Sequence, residues 1–272
     1  MKIICRKCGF EDEQQIEKRN EANNGVVIFL DALGAREFSL DECRTFISDR
    51  DEILNRSSFI WNKWTSEFQK ELDKKLPEPE IVAFQDSIII CFAEQSGNSL
   101  PPLLAAGQWL TQMMTQAIFK GIFFRGSISV GPYIFDTSPK NVTVMGPAVS
   151  DAYLYHDKAK WIGVIQTPKC QNNYQSVIEF DAKERKEKLN PKFYEFLFVD
   201  YPVPFGDGKK ERCNAVSWPH IACRAEKKLG NPIISSVLSE GMCKELDTAI
   251  KQKYKNSLTF LRWYEKYIFP NN

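Results

Sequence analysis

Two aspartates, Asp31 and Asp86, are the side chains of this sequence best suited to chemistry. Asp31 ends the apolar run 26–30 and is followed three residues later by Gly34, whereas Asp86 interrupts the apolar segment 81–90. A single Asp in such a place is commonly a turn or capping residue. Two of them, one before a glycine-containing turn and one at a predicted hairpin tip, match the carboxylates that Mg²⁺ or Mn²⁺ takes together with substrate phosphates. The pair predicts a two-metal site for phosphoryl-transfer chemistry.

The turn after Asp31 is the predicted phosphate-binding segment. Leu33, Gly34, Ala35 and Arg36 are expected to lead into a helix, so that their backbone N–H groups are free to bind phosphate oxygens. Gly34 allows close backbone approach to a ligand, and the carbonyl of Ala32 could add a metal ligand. Arg36 is either a phosphate clamp or a solvated residue at the start of the helix.

Apolar spacing predicts the elements that position these residues. The predicted order is a strand at 26–31, a helix at 38–73, a hairpin at 80–93, a helix at 103–121, a strand at 123–130, a loop to 139, a short strand at 142–145, a helix at 146–160 and a strand at 161–167. Strands at 177–180 and 196–201 and two helices within 233–269 follow. The alternation predicts an α/β (α+β) sandwich around a central sheet.

The composition narrows the function classes. With 43% hydrophobic residues in 272, the chain can bury a core. Its formal net charge of +1 argues against bulk attraction to nucleic acid or an anionic membrane. We expect no membrane span, because no apolar run approaches the ~20 residues that one requires. No secretion signal opens the sequence, so a cytoplasmic protein is expected.

The cysteines allow two interpretations. Cys5 and Cys8 form a Cys-x-x-Cys pair, which is typical of half a zinc site. Cys213, His220 and Cys223 could complete such a site, but their spacing does not require it. The favoured interpretation is two free cysteines near the N-terminus.

Four segments resemble, in the same order, motifs of the class III nucleotidyl cyclase catalytic domain. They are 29–36 with its Asp and Gly, the hairpin tip 84–87, the strand 125–131 that begins with Arg-Gly, and 144–152. The resemblance implies a ferredoxin-like palm at 25–170, an N-terminal segment and linker at 1–24, and a C-terminal extension at 171–272 that packs on the catalytic domain.

The same resemblance implies a reaction. A nucleoside triphosphate would be cyclised to a 3′,5′-cyclic monophosphate and pyrophosphate, with two Mg²⁺ or Mn²⁺ ions held by Asp31, Ala32 and Asp86. It also implies a head-to-tail homodimer with sites between the chains.

Positions that read the base and ribose depart from the family pattern. Val82 stands where purine cyclases carry an adenine-reading Lys, and Thr143 stands where they carry its Asp partner. Ser150 and Leu154 replace the expected Asn and Arg. Either the base is not adenine and other residues stabilise the transition state, or the domain is a catalytically impaired nucleotide-binding or scaffold module.

We favour the first alternative because both metal positions are kept. The pattern resembles the pyrimidine cyclases of bacterial Pycsar anti-phage systems, which make cyclic UMP or cyclic CMP for a separate effector protein. Arg125, Tyr153 and Tyr155 are candidate substitutes for the missing contacts, with surface or packing roles as the alternative. His156 is interpreted as a surface residue rather than a catalytic base.

Overall fold

The structure is a computed structural model that describes residues 22–35, 38–72, 77–94, 100–138, 141–173, 196–243 and 246–270. Cys5, Cys8, Arg36 and the predicted strand at 177–180 lie outside these stretches.

The first part of the chain forms a βαββαβ unit. Its elements are β1 (Asn23–Ala32), α1 (Leu40–Leu72), β2 (Pro79–Phe84), β3 (Ser87–Ala93), α2 (Leu100–Phe119) and β4 (Phe124–Ser138). The strands lie in the order β2-β3-β1-β4, and all neighbouring pairs are antiparallel. This is the ferredoxin-like arrangement, so the predicted α/β palm fold is confirmed.

The remaining elements widen the sheet and add a helical layer. They are β5 (Asn141–Met145), α3 (Pro147–Tyr155), β6 (Gly163–Gln166), β7 (Phe198–Pro204), β8 (Lys210–Val216), α4 (Trp218–Leu229), α5 (Ile233–Cys243) and α6 (Thr248–Tyr267). β6 runs parallel to β4, and β8 and β7 follow it in antiparallel order. β5 pairs with the far part of β4. The sheet thus extends well beyond the ferredoxin-like unit.

Two predicted boundaries are wrong in the middle of the chain. The segment after 130 was expected to be a loop, but β4 continues to Ser138 and forms an antiparallel arm with β5. Gly131 has a φ of +135°, which lets the strand continue past a point where most side chains would be strained. The helix expected at 146–160 ends at Tyr155.

The sequence pattern missed β8 and α4. β8 begins with the charged residues Lys210, Glu211 and Arg212, which are exposed and give no apolar alternation. Pairing with β7 defines this strand, and Arg212 forms a 2.7 Å ion pair with Asp200 of that neighbour. α4 follows directly, with a proline in its first turn, where a missing N–H costs no hydrogen bond.

The sheet has two unequal faces. Val26, Ile28 and Leu30 of β1 belong to the large hydrophobic core, to which α1, α2 and α4–α6 all contribute. Val27 and Phe29 face the other way, into a small cluster closed by α3. Because side chains alternate along a strand, the next residue of the second series is Asp31, at the end of β1.

Candidate active site

Asp31 is paired with Arg125 of β4. The two residues are register partners across the β1–β4 ladder. Nε and Nη2 of Arg125 donate to Oδ2 of Asp31 at 3.1 and 2.9 Å. The Arg125 and Asp31 side chains are only 15% and 17% exposed, so this charge-assisted contact is weakly screened by solvent.

Asp86 lies in the two-residue turn between β2 and β3, as predicted from the sequence. Its backbone carbonyl accepts a 2.9 Å hydrogen bond from the N–H of Ala32. The preceding residue, Gln85, has a φ of +52°, a conformation that non-glycine residues adopt rarely. Nη1 of the buried Arg50 donates to the Gln85 carbonyl at 3.0 Å. Contacts from β1 and α1 therefore hold the turn from two sides.

Strand register brings the three predicted catalytic residues to one end of the sheet. Asp31 pairs with Ser87, the neighbour of Asp86, on one side and with Arg125 on the other. Antiparallel partners have Cα atoms about 4.5–5.5 Å apart. Asp31 and Arg125 are therefore in direct contact, and the turn that carries Asp86 lies next to them at the end of β1.

The donor set suits a hard divalent cation only in part. Carboxylates from two neighbouring strands are oxygen ligands of the kind that Mg²⁺ and Mn²⁺ prefer. Within the described stretches, no three or more His, Cys, Asp and Glu side chains converge to hold a metal ion by themselves. A metal at Asp31 and Asp86 would have to complete its coordination with substrate phosphates and water.

The phosphate-binding turn differs from the prediction at Leu33. The N–H of Leu33 donates to the carbonyl of Phe123 at 2.8 Å, which continues the β1–β4 ladder past its last register pair. This amide is therefore not free to bind phosphate. Gly34 has a φ of +84°, and apart from its chain neighbours no described atom lies within 4 Å of the place a side chain would take, so Gly34 borders open space.

The turn does not lead straight into a helix. α1 begins at Leu40, and its N-terminus is closed by a capping box. The Ser39 hydroxyl accepts from the N–H of Glu42 at 3.4 Å, while the Glu42 carboxylate accepts from the N–H and hydroxyl of Ser39 at 2.7 Å. The N–H groups of Ser39 and Glu42 are therefore already bonded within the helix start and are not available to a phosphate.

The predicted base- and ribose-reading residues lie on three different elements of the chain. Val82 pairs with Ile89 in the β2–β3 hairpin and is half-buried. Thr143 is exposed on β5, at the opposite end of β4 from Arg125. Ser150 is exposed on α3. Thr143 and Ser150 could complete a site only if a second chain brought them to it.

The aromatic candidates on and after α3 form a ring cluster. Tyr153 packs edge-on against Phe29, with ring centroids 5.2 Å apart, and His156 lies 4.8 Å from the same ring. Nζ of Lys158 lies 3.5 Å from the centroid of the Tyr155 ring. These contacts give each residue a packing partner on the α3 side of the sheet.

A pocket beside Asp86 was missed by the sequence analysis. It has a volume of about 290 Å³ and is lined by Ala35, Phe38, Cys43, Phe46, Ile47, Gln85 and Asp86. Its size is at the lower end of the range for small-molecule sites. The spacing of Cys43, Phe46 and Ile47 on one face of α1 is the signal that could have found it.

Lys253 of α6 is a further feature near the site that the sequence analysis missed. The side chain is half-buried, and its pKa is lowered to about 8, chiefly by burial and also by the positive charges of Arg125 and Lys160. Asp31 and Asp157 oppose the shift. The C-terminal helix thus places a cation within electrostatic range of the Asp31–Arg125 pair.

The candidate zinc ligands in the second half of the chain have other environments. Cys213 and Cys223 are buried free thiols, and burial raises their pKa values to about 11 and about 12. His220 Nδ1 lies 3.2 Å from the hydroxyl of Tyr264.

No helix in the described part of the chain has the length and apolar character needed to cross a bilayer.

Comparison with known proteins gives matches among solved structures. No protein-family model matches the sequence, and no curated protein matches it. A bacterial light-regulated adenylyl cyclase matches at 11% identity and a TM-score of 0.43, over 73% of this chain and 53% of that one. This chain therefore spans about half the length of that protein.

Two further structures match over more of their own length. The adenylyl cyclase CyaB from P. aeruginosa matches at 13% identity and a TM-score of 0.41, over 72% of this chain and 93% of that one. The dimeric guanylyl cyclase domain of a RhoGC fusion protein from the aquatic fungus Blastocladiella emersonii matches at 13% identity and a TM-score of 0.40. This match covers 72% of this chain and 97% of that one. An activity for this chain has to be argued from its own residues.

Proposed function

We propose that this protein is a metal-dependent nucleotidyl cyclase of the class III type. It would convert a pyrimidine nucleoside triphosphate, UTP or CTP, to the 3′,5′-cyclic monophosphate and pyrophosphate. The observation that supports the proposal is the strand register, which pairs Asp31 with Arg125 and sets it beside the turn that carries Asp86. The order of the four cyclase-like motifs along the sequence supports it.

The reaction needs position and charge more than covalent chemistry. The 3′-hydroxyl must attack the α-phosphorus in line with the leaving pyrophosphate. Asp31 and Asp86, with the Ala32 carbonyl, would hold two Mg²⁺ or Mn²⁺ ions, which supply activation of the 3′-hydroxyl and neutralise phosphate charge when bound. Gly34 borders the open space in which the phosphates would lie, Ala35 follows it in the proposed phosphate turn, and Arg36 is proposed as the clamp.

Arg125 is proposed to serve the transition state. Without substrate, its Nε and Nη2 both donate hydrogen bonds to Oδ2 of Asp31. A phosphate arriving at the site offers a competing bidentate acceptor, so Arg125 could transfer one or both bonds to it while the Asp31 carboxylate becomes available as a ligand. This exchange would tie substrate binding to assembly of the site.

Discrimination against purines is proposed to follow from what the site lacks. Val82 and Thr143 cannot make the adenine-specific hydrogen bonds of a Lys and an Asp. A purine bound beside these two residues would leave polar edges unpaired, which costs free energy.

The active unit is proposed to be a homodimer. Thr143 and Ser150 lie away from Asp31 within one chain, so a partner chain would have to supply them. Apolar side chains on β5 and α3 are exposed in a way typical of interaction surfaces, including Met145 at 56% and Leu154 at 63%.

The cyclic product is further proposed to act as a second messenger in anti-phage defence and to be sensed by a separate effector. This part of the proposal rests on the Pycsar resemblance alone.

A second candidate function is a nucleotide-binding or scaffold module without turnover. The Asp31–Arg125 ion pair favours it, because a metal ion must compete with a weakly screened guanidinium for the carboxylate. In this case triphosphates would bind without release of pyrophosphate.

One assay separates these functions. Equal concentrations of ATP, GTP, CTP and UTP are incubated with the protein and Mn²⁺, and pyrophosphate and cyclic products are quantified. We expect UTP or CTP to be turned over at least ~10-fold better than ATP, the effect of about one net hydrogen bond, with UTP preferred. Mainly cyclic AMP or cyclic GMP would refute the pyrimidine assignment, and binding without any product would favour the scaffold module.

A further inference from the structure

The N-terminal half of α6 is fastened to the segment that enters β6. Nδ2 of Asn256 donates to the carbonyl of Lys160 at 2.6 Å, and the hydroxyl of Ser257 accepts from the N–H of Ile162 at 2.7 Å. The following residue, Gly163, is the register partner of Arg125. α6 is therefore held one strand away from the candidate site.

A second contact reaches the other side of the same site. The ring of Tyr254 packs edge-on against Phe123, with centroids 4.8 Å apart. Phe123 is also the residue whose carbonyl accepts from the N–H of Leu33, at the start of the candidate phosphate turn. α6 thus spans from the entry of β6 to the end of β1.

These two contacts determine where Lys253 points. Residues three and four apart share one face of a helix, so Lys253 lies on the face of Asn256 and Ser257. That face is the one turned toward Lys160 and the entry of β6, beside Arg125. The side chain is half-buried although it carries an amine.

Within the described part of the chain, Lys253 takes part in no ion pair. The acids Asp31 and Asp157 act on its charge, but Asp31 is already paired with Arg125 and Asp157 is exposed. A half-buried cation without its own counter-ion is costly unless an anion compensates it. With a pKa of about 8, Lys253 remains mostly protonated at neutral pH and can serve such an anion.

We infer that Lys253 binds the terminal phosphates of the triphosphate, so that a helix outside the ferredoxin-like unit completes the site. This inference rests on the proposed function, because it takes the ligand to be a nucleoside triphosphate. It adds a substrate-binding residue of the same chain, at the end where pyrophosphate leaves.

The test compares two lysines of α6. Lys253→Met removes the proposed contact, and Lys255→Met, at an exposed position of the same helix, is the matched control. Binding of UTP, UMP and inorganic tripolyphosphate is measured by calorimetry in the presence of Ca²⁺, with thermal melting as the check on folding. We expect Lys253→Met to weaken UTP and tripolyphosphate binding by about 10- to 100-fold, as for loss of a charged hydrogen bond, and to leave UMP binding unchanged. Lys255→Met should match wild type for all three ligands.

A conservative variant separates contact from folding. Lys253→Arg keeps the cation and should retain UTP affinity within about 3-fold, because guanidinium also binds phosphate well. Equal UTP affinity in the two Met variants would overturn the inference while leaving the proposed function intact. So would equal losses for UMP and UTP in Lys253→Met, or failure of Lys253→Arg to retain UTP affinity. A wild-type protein that binds no triphosphate would overturn both.

Discussion

On the face of the sheet that packs against α1, α2 and α4–α6, β1 contributes Val26, Ile28 and Leu30 to one continuous apolar core. On the face that packs against α3, the same strand contributes Val27, Phe29 and then Asp31. β4 shows the same division. Its Ile128 packs into the large core, while Ser127 and Ser129 face α3 and bond to it at 2.5 and 2.6 Å. The same strands therefore serve two environments.

The difference between the faces separates stability from chemistry. The face with the large core buries Trp109, Trp161 and Trp218 and can supply most of the hydrophobic stabilisation. The α3 face carries a small apolar cluster and ends in the Asp31–Arg125 pair. Partly buried charges are expensive to keep in a fold, and the large core allows this face to carry them.

The largest expected effect is on the polar face. Asp31→Asn and Asp86→Asn should each reduce turnover of the preferred triphosphate by on the order of 10²–10³-fold, because a neutral amide cannot replace an anionic metal ligand. Both variants should remain folded, since Asn still offers an acceptor to its neighbours. Steady-state pyrophosphate release and thermal melting measure the two properties.

Asp41→Asn is the control for these variants. Its side chain is 89% exposed near the start of α1, and the change should leave turnover unaltered. Near-wild-type turnover with unchanged metal dependence in either active-site variant would remove the two-metal assignment.

A matched pair of valines compares the two faces directly. Val26 and Val27 are adjacent and both fully buried, but Val26 lies in the large core and Val27 in the cluster under α3. Val26→Ala should lower the free energy of unfolding by roughly 2–3 kcal/mol, and Val27→Ala by about 1 kcal/mol less than that, because the short α3 can settle into the space. Urea unfolding gives both values; equal losses would show that α3 is packed as rigidly as the large helical layer.

The last effect concerns a polar group inside the helical layer. Burial, with a smaller contribution from Arg224, lowers the pKa of His220 to about 4. Between pH 6.5 and 4 the unfolded chain binds a proton that the folded chain does not, so stability falls as the pH is lowered. The loss attributable to His220 should be roughly 3 kcal/mol between pH 7 and pH 4.

His220→Gln isolates this contribution. The variant should lose less stability than wild type over the same pH interval in urea unfolding. An identical pH dependence would mean that His220 is protonated in the folded protein at pH 4.

Local pattern was sufficient for much of the ferredoxin-like unit. The apolar run before Asp31, the polar break at Asp86 and the helical spacing at 38–73 and 103–121 correspond to β1, the β2–β3 turn, α1 and α2. These signals work because the strand and helix periods and the turn chemistry are carried by neighbouring residues.

Local pattern was insufficient where a partner defines the element. β8 becomes a strand through pairing with β7, although its first residues are charged. The amide of Leu33 was expected to be free, but the carbonyl of Phe123, far along the chain, takes its hydrogen bond. Neither outcome is visible in a window of neighbouring residues.

By itself, the sequence determined the two candidate metal ligands and the order of the elements that carry them, since both are properties of short segments. Only the tertiary structure decided that Asp31 meets Arg125, that a pocket opens beside Asp86 and that Lys253 of the last helix comes within electrostatic range of the Asp31–Arg125 pair. Strand register and helix docking depend on the packing of distant segments, so the charge balance of the site exists only in the folded chain.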